Sequence, residues 1–166
     1  RMTPDTGAGP QKYLNRQGDG RVRILDFGIL DEDGNPTHDL ISGAKYRLFF
    51  QFECRSDHLR MGMGFNIKNT RGLLLFGITN GSQRMKITAS TGDMFECRAD
   101  ITAWLAGGDY IMALGVADAD GGFRLDFIED AVHFRVHGPG GLNTSSAVNL
   151  DAHFSIENAA SEKASA

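Results

Sequence analysis

Trp104-Leu105-Ala106-Gly107-Gly108-Asp109-Tyr110 runs directly into Ile111-Met112-Ala113-Leu114-Gly115-Val116-Ala117. In the second half, Tyr110, Met112, Leu114 and Val116 alternate with Ile111, Ala113, Gly115 and Ala117, the period of a strand with one buried face. The first half brings a tyrosine to the head of that strand after a Gly-Gly turn. This has the form of the tyrosine corner that opens strand F of immunoglobulin-like sandwiches. Tyr110 is expected to be the corner and Trp104 a plug in the core.

The same texture extends outward on both sides. Short β-rich runs occupy residues 21–30, 45–54, 61–68, 73–79, 84–89, 94–101, 110–117, 130–137 and 147–156. Turn chemistry separates them: Asp33-Gly34-Asn35-Pro36, Ser42-Gly43, Asn69-Thr70-Arg71-Gly72, Asn80-Gly81 and Asp120-Gly121-Gly122. All four prolines, at 4, 10, 36 and 139, fall outside the runs, as ladder hydrogen bonding requires. No segment shows a sustained helical period. The expected fold is an all-β, immunoglobulin-like antiparallel β-sandwich. Counted from the corner, runs one, two and six form one sheet, and runs three, four, seven and eight the other. Residues 1–20 are polar and turn-rich and read as a linker or N-terminal arm, 21–157 as the sandwich, and 158–166 as a disordered tail.

Composition agrees with one domain. A chain of 166 residues buries roughly 70% of its unfolded surface, enough for a real core. Seventeen Lys+Arg against 21 Asp+Glu give a net charge of −4, without the basic field that nucleic-acid partners demand. The longest apolar run, residues 72–78, is far short of a membrane-spanning helix. Arg1 precedes Met2, which reads as a segment of a longer chain. Cys54 and Cys97 are expected to face inward from neighbouring strands as buried free thiols.

Signatures of catalysis are missing. There is no Gly-Lys dipeptide for a phosphate loop, no Gly-x-Ser-x-Gly elbow and no His-Glu-x-x-His. Asp118-Ala119-Asp120-Gly121 hints at a calcium loop, but Phe123 stands where such a loop needs glycine, so a hairpin turn is the reading. His133 and His137 share a face but lack a third ligand for zinc. Asp126 and Glu129 could be imagined as paired carboxylates, but the sequence does not fix their separation. No metal, cofactor or catalytic residue is therefore expected.

A binding surface is the stronger expectation. The outward face of the second sheet would carry Gly62, Gly64, Ala113, Gly115 and Ala117 near its middle, ringed by Asn66, Lys68, His133, Arg135 and His137. Small residues lower the floor and long polar ones raise the walls, giving a shallow groove suited to hydroxyl-rich sugars. Phe76 is the expected stacking surface, and Arg135, with its planar fork, the expected leading contact. The competing face carries Arg47, Phe49, Gln51, Glu53, Glu96 and Arg98.

The pieces Arg16-Gln17-Gly18-Asp19-Gly20-Arg21, Leu30-Asp31-Glu32-Asp33-Gly34, Ser42-Gly43-Ala44-Lys45, Gly64-Phe65-Asn66-Ile67-Lys68-Asn69-Thr70-Arg71-Gly72, Phe76-Gly77-Ile78-Thr79-Asn80 and Gly108-Asp109-Tyr110, in this order and spacing, resemble one family. It is the C-terminal carbohydrate-binding domain of the ATPase subunit of O-antigen polysaccharide ABC transporters, the Wzt type. The resemblance implies non-catalytic binding of the modified terminus of a lipid-linked O-polysaccharide at the cytoplasmic face of a Gram-negative inner membrane. It implies as partners an upstream nucleotide-binding domain, which would carry any ATPase activity, and the transporter's membrane subunit. It also implies a homodimer that exchanges the last strand, for which the alternating Val148, Leu150, Ala152, Phe154 and Ile156 are the matching element. The alternative is a dimerisation or docking module that binds no glycan.

Overall fold

The chain is described by a computed structural model at residues 15–81, 87–138, 147, 148, 150, 151, 153 and 156. Its strands are β1 (Arg16–Gln17), β2 (Val22–Leu30), β3 (Asp39–Ile41), β4 (Lys45–Cys54), β5 (Leu59–Asn69), β6 (Leu74–Thr79), β7 (Ile87–Ala89), β8 (Met94–Thr102), β9 (Gly108–Asp118) and β10 (Arg124–His137). No helix occurs among the described residues, and so none long and apolar enough to cross a membrane.

Two sheets face each other. The smaller has the order β2-β4-β8. The larger runs β1-β10-β9-β5-β6, with β3 beside one end of β10 and β7 beside the start of β5. This is the partition expected by counting from the corner, and the pairings are antiparallel except β3 with β10. The core forms where the inner faces meet: Tyr46, Leu48, Phe50 and Phe52 from β4 against Met61, Met63, Phe65 and Ile67 from β5. Phe50 meets Phe65 edge-on across the gap, with ring centroids 5.2 Å apart. Each such fully buried side chain contributes roughly 1.5–3 kcal/mol by leaving water.

Tyr110 heads β9 as expected, and its hydroxyl donates to the Ala106 carbonyl at 2.6 Å, completing a tyrosine corner. Trp104 departs from expectation. It is 44% exposed rather than a core plug, because its ring lies outside the sandwich across Gly43, whose φ of +86° and missing side chain leave the slot it covers. Cys54 and Cys97 are free, on the inner sides of adjacent strands. Burial pushes the Cys97 thiol up to about 11.

β10 starts six residues earlier than its alternation suggests. The turn after β9 is tight: Asp118 N–H donates to the Phe123 carbonyl at 2.8 Å, while the Asp118 carboxylate accepts from the backbone of Asp120 and Gly121. This is the hairpin turn that the calcium-loop pattern was read as. Arg16–Gln17, within the stretch read as an arm, pair with β10 as β1. Beneath them Arg16 forks onto buried Asp126, through Nε at 2.9 Å and through Nη2, and Asp126 also accepts from the Ile24 N–H at 2.7 Å. Val148 bridges Leu105, while Asn149, Ala152, Phe154 and Ser155 of the segment expected to be exchanged, Val148 to Ile156, lie outside the described residues.

Candidate functional site

Pairing fixes which residues share the outer face of the large sheet. One row crosses five strands as Gln17, Phe127, Gly115, Gly64 and Thr79. The next row toward the β9–β10 turn holds Arg124, Ala117 and Gly62, and the next away from it Ala113, Asn66 and Gly77. Beyond lie His133, Ile111, Lys68 and Leu74, then Asp39, Arg135 and Asp109. Directly paired residues point the same way, so the small side chains do form a floor on β5 and β9.

Part of that floor is roofed. The Phe127 ring lies over Gly115, where a Cβ would run into it, and the Arg124 guanidinium stacks on the ring at 4.4 Å from its centroid. What stays open is a trough over Gly62 and Ala117, for at Gly64 the Ile78 carbonyl and the Thr79 methyl already take the space a Cβ would fill. Phe127 and Arg124 stand on one side, Thr79 and Asn80 on the other. Asn80 pins this second side, accepting from Met63 N–H at 2.8 Å and donating to the Met61 carbonyl at 3.0 Å.

The first wall is a chain of polar contacts. Arg124 Nη1 donates to Gln17 Oε1 at 2.6 Å and pairs with Glu129 at 3.2 Å. Lys68 Nζ lies 3.9 Å from Glu129 and 3.0 Å from Asp130. Asp130 also accepts from Asn15 Nδ2 at 2.7 Å. The hydrogen bond from Lys68, then that from Asn15, holds the Asp130 carboxyl below the usual carboxylate range. Glu129 and Asp130 reach this position because β10 bulges between Ile128 and Val132, where three residues face one of β9.

The expected site residues divide into three groups. Asn66 stands one row from Gly64, close against Gly77, and Lys68 one row further, its ammonium reaching the wall at Glu129 and Asp130. His133 lies in the row of Lys68, and Arg135 and His137 gather beyond it at the far end of the face, both already engaged there. Both prongs of Arg135 are taken by Asp109, at 2.8 and 3.1 Å, which holds that carboxyl low. His137 Nε2 meets Asp39 at 2.9 Å, and the His133 carbonyl meets the His38 ring at 3.1 Å. Phe76 is on the opposite side: it pairs with Ile67 and packs against the core, so the ring available for stacking is Phe127. Asp126 and Glu129 also part company, Asp126 facing inward beneath Arg16 and Glu129 outward.

The competing sheet is closed by similar means. Phe49 is 6% exposed across Gly28, Arg47 forks onto Asp100 at 2.7 and 3.1 Å, and Glu96 takes both Gln51 and Arg98. At its end a cleft of about 530 Å³ opens between Asp31, Glu32, Lys45, Arg47, Asp100 and Thr102.

Two facing antiparallel sheets, a tyrosine corner and no helix among the described residues define the class: an immunoglobulin-like β-sandwich whose outer faces carry polar surfaces. Within that class, the family model described as the Wzt C-terminal domain matches residues 14–150, and the chain belongs to that family. The crystal structure of the C-terminal domain of wzt superposes with a TM-score of 0.75 at 21% identity, covering 86% of this chain and 87% of that one. A Niemann-Pick type C2 protein from Japanese carpenter ant shares the general fold, with a TM-score of 0.52 at 7% identity over 75% of this chain and 97% of its own. No curated protein matches significantly in sequence.

Proposed function

We propose that this domain binds the modified terminus of a lipid-linked O-antigen polysaccharide, without altering it, and so couples recognition to export by an ABC transporter. The observation that carries the reading is the trough: a floor of Gly62 and Ala117 beside the Phe127 ring and a wall of fixed donors and acceptors. A sugar ring can descend to backbone level there, lay its C–H face toward Phe127 and exchange hydroxyl hydrogen bonds with Lys68, Asn66 and Glu129. Family membership supports the export setting. It supports with it a place at the cytoplasmic face of the inner membrane, contact with the nucleotide-binding and membrane subunits, and a homodimer. The face holding His133, Arg135 and His137 extends the trough for a second residue of the chain.

Calorimetry with the O-polysaccharide of the bacterium that encodes this chain tests the reading. Binding is expected to be saturable, and Phe127→Ala and Lys68→Ala should each weaken it, by about 1–3 kcal/mol for the charged hydrogen bond. Arg47→Ala, in the cleft of the other sheet, should leave it unchanged. Loss of binding with Arg47→Ala and not with the trough variants would move the site to the other sheet. No binding at all would favour a docking module.

A further inference from the structure

We infer that Glu129 and Asp130 make the trough selective for an uncharged sugar terminus and turn away one that ends in phosphate or carboxylate. The inference rests on the trough being the glycan site and adds the chemical class of the terminus. Among the described residues, the cations bordering the trough are Arg60, Lys68 and Arg124, and each is countered by a carboxylate, Arg60 by Asp120 at 2.7 Å. Lys68 sits between Asp130 at 3.0 Å and Glu129 at 3.9 Å, and Arg124 is 3.2 Å from Glu129. An anion approaching Lys68 or Arg124 therefore comes close to a carboxylate paired with that cation. Seating it would set like charges face to face or force the wall apart, and like-charge juxtaposition is a standard means of rejecting a partner.

A neutral terminus meets no such barrier. Ionised carboxylates are acceptors only and ammonium and guanidinium groups donors only, so the wall presents them in alternation. A hydroxyl both donates and accepts, and neighbouring hydroxyls on a ring can span adjacent groups with charge-assisted bonds. The wall is also held in place before any ligand arrives. Asn15 holds Asp130, Gln17 holds Arg124, and the β10 bulge aims both carboxylates to this face. Hydrogen bonds from Lys68 and Asn15 hold the Asp130 carboxyl below the usual carboxylate range.

The test is a titration followed at the amides of Gly62, Gly64 and Ala117 by NMR. Methyl phosphate should give no saturable shift with the native chain. The isosteric double variant Glu129→Gln, Asp130→Asn, its fold checked by thermal unfolding, should gain saturable methyl phosphate binding that weakens with salt. The same oligosaccharide, prepared with an uncharged and with a phosphorylated end, should bind the native chain about tenfold or more tightly in its uncharged form, the least expected from one unfavourable charge contact. Saturable methyl phosphate binding by the native chain, no gain in the double variant, or preference for the phosphorylated end would each overturn the selectivity. Failure of the glycan reading itself has a different signature: neither oligosaccharide moves those amides, whatever the double variant does with methyl phosphate, and the selectivity falls with it.

Discussion

Replacing Asp126 by alanine removes the one buried charged group of the described core and isolates two others. Its side chain is 6% exposed, that of Arg16 15%, and the Ile24 N–H points at the same carboxylate. Breaking a buried pair from one side costs about 3–5 kcal/mol, because the remaining charge is left without compensation. Against a total stability of about 5–15 kcal/mol, this is a large loss. With a urea m-value of about 2 kcal/mol/M, the unfolding midpoint should fall by roughly 1.5–2.5 M. Arg16→Met should cost a similar amount, since it leaves Asp126 with only the Ile24 N–H. The double variant removes both charges and strands that N–H and the Ile24 carbonyl, which had accepted from Arg16 Nη2 at 3.1 Å, each at about 1–3 kcal/mol. The two substitutions should therefore be strongly non-additive, the double variant being more stable than the sum of single losses by at least about 2 kcal/mol. Additive losses, or an Asp126→Ala loss below about 1 kcal/mol, would refute the reading of this pair as a buried clamp.

Gly115→Ala drives a methyl into the Phe127 ring and should destabilise by about 1–3 kcal/mol in urea melts, a loss that adding Phe127→Ala relieves. Tyr110→Phe should cost about 1–2 kcal/mol by stranding the buried Ala106 carbonyl, measured the same way. The carboxyls of Asp109, Asp118 and Asp130 are held below their ordinary value, chiefly by Arg135, by the backbone of Asp120 and Gly121, and by Lys68. The unfolded chain therefore binds more protons, so the urea midpoint should be level above about pH 4 and fall as pH drops through the folded values. A midpoint that rises on acidification would contradict this. With the Cys97 thiol pushed up to about 11 and Cys54 raised too by burial, the native chain should react negligibly with a disulfide reagent at pH 8, and both thiols rapidly in urea.

The long strands were legible because each carries its own period. Alternation in residues 45–54, 61–68 and 110–117 named the buried faces, and the observed sheets follow from it. β1 and β3 are two and three residues long, too short to carry any period, and arise from pairing with β10 alone. The site was harder to read for a reason of register. The turn after Asp118 would, counted in simple steps, set Asp126 opposite Gly115. Leu125 is an extra residue there, so Asp126 pairs with Val116 and Phe127 with Gly115. A shift of one residue exchanges the two faces of a strand. It turned Asp126 into the clamp and Phe127 into the ring at the trough, and the second bulge brought out Glu129 and Asp130. Phe76 failed for a related reason, since its strand pairs so that it shares the face of Ile67. Asn66 and Lys68 lie on β5, whose register against β9 runs unbroken, and there alternation alone sufficed.

Each sheet wears one phenylalanine over one glycine on its outside: Phe127 over Gly115, and Phe49 over Gly28, whose added Cβ would stand 3.2 Å from the ring. For a lineage drifting under mutation, these are pairs of positions that cannot wander separately. A side chain at Gly115 is admissible only after the aromatic at 127 has shrunk, and a lost ring leaves a bare stretch of backbone that a larger neighbour can then fill. Descendants should keep both members or replace both, so that the outer surface of each sheet is inherited in blocks. A lineage changing its ligand would do so by exchanging a whole block, with Phe127 and Gly115 replaced together.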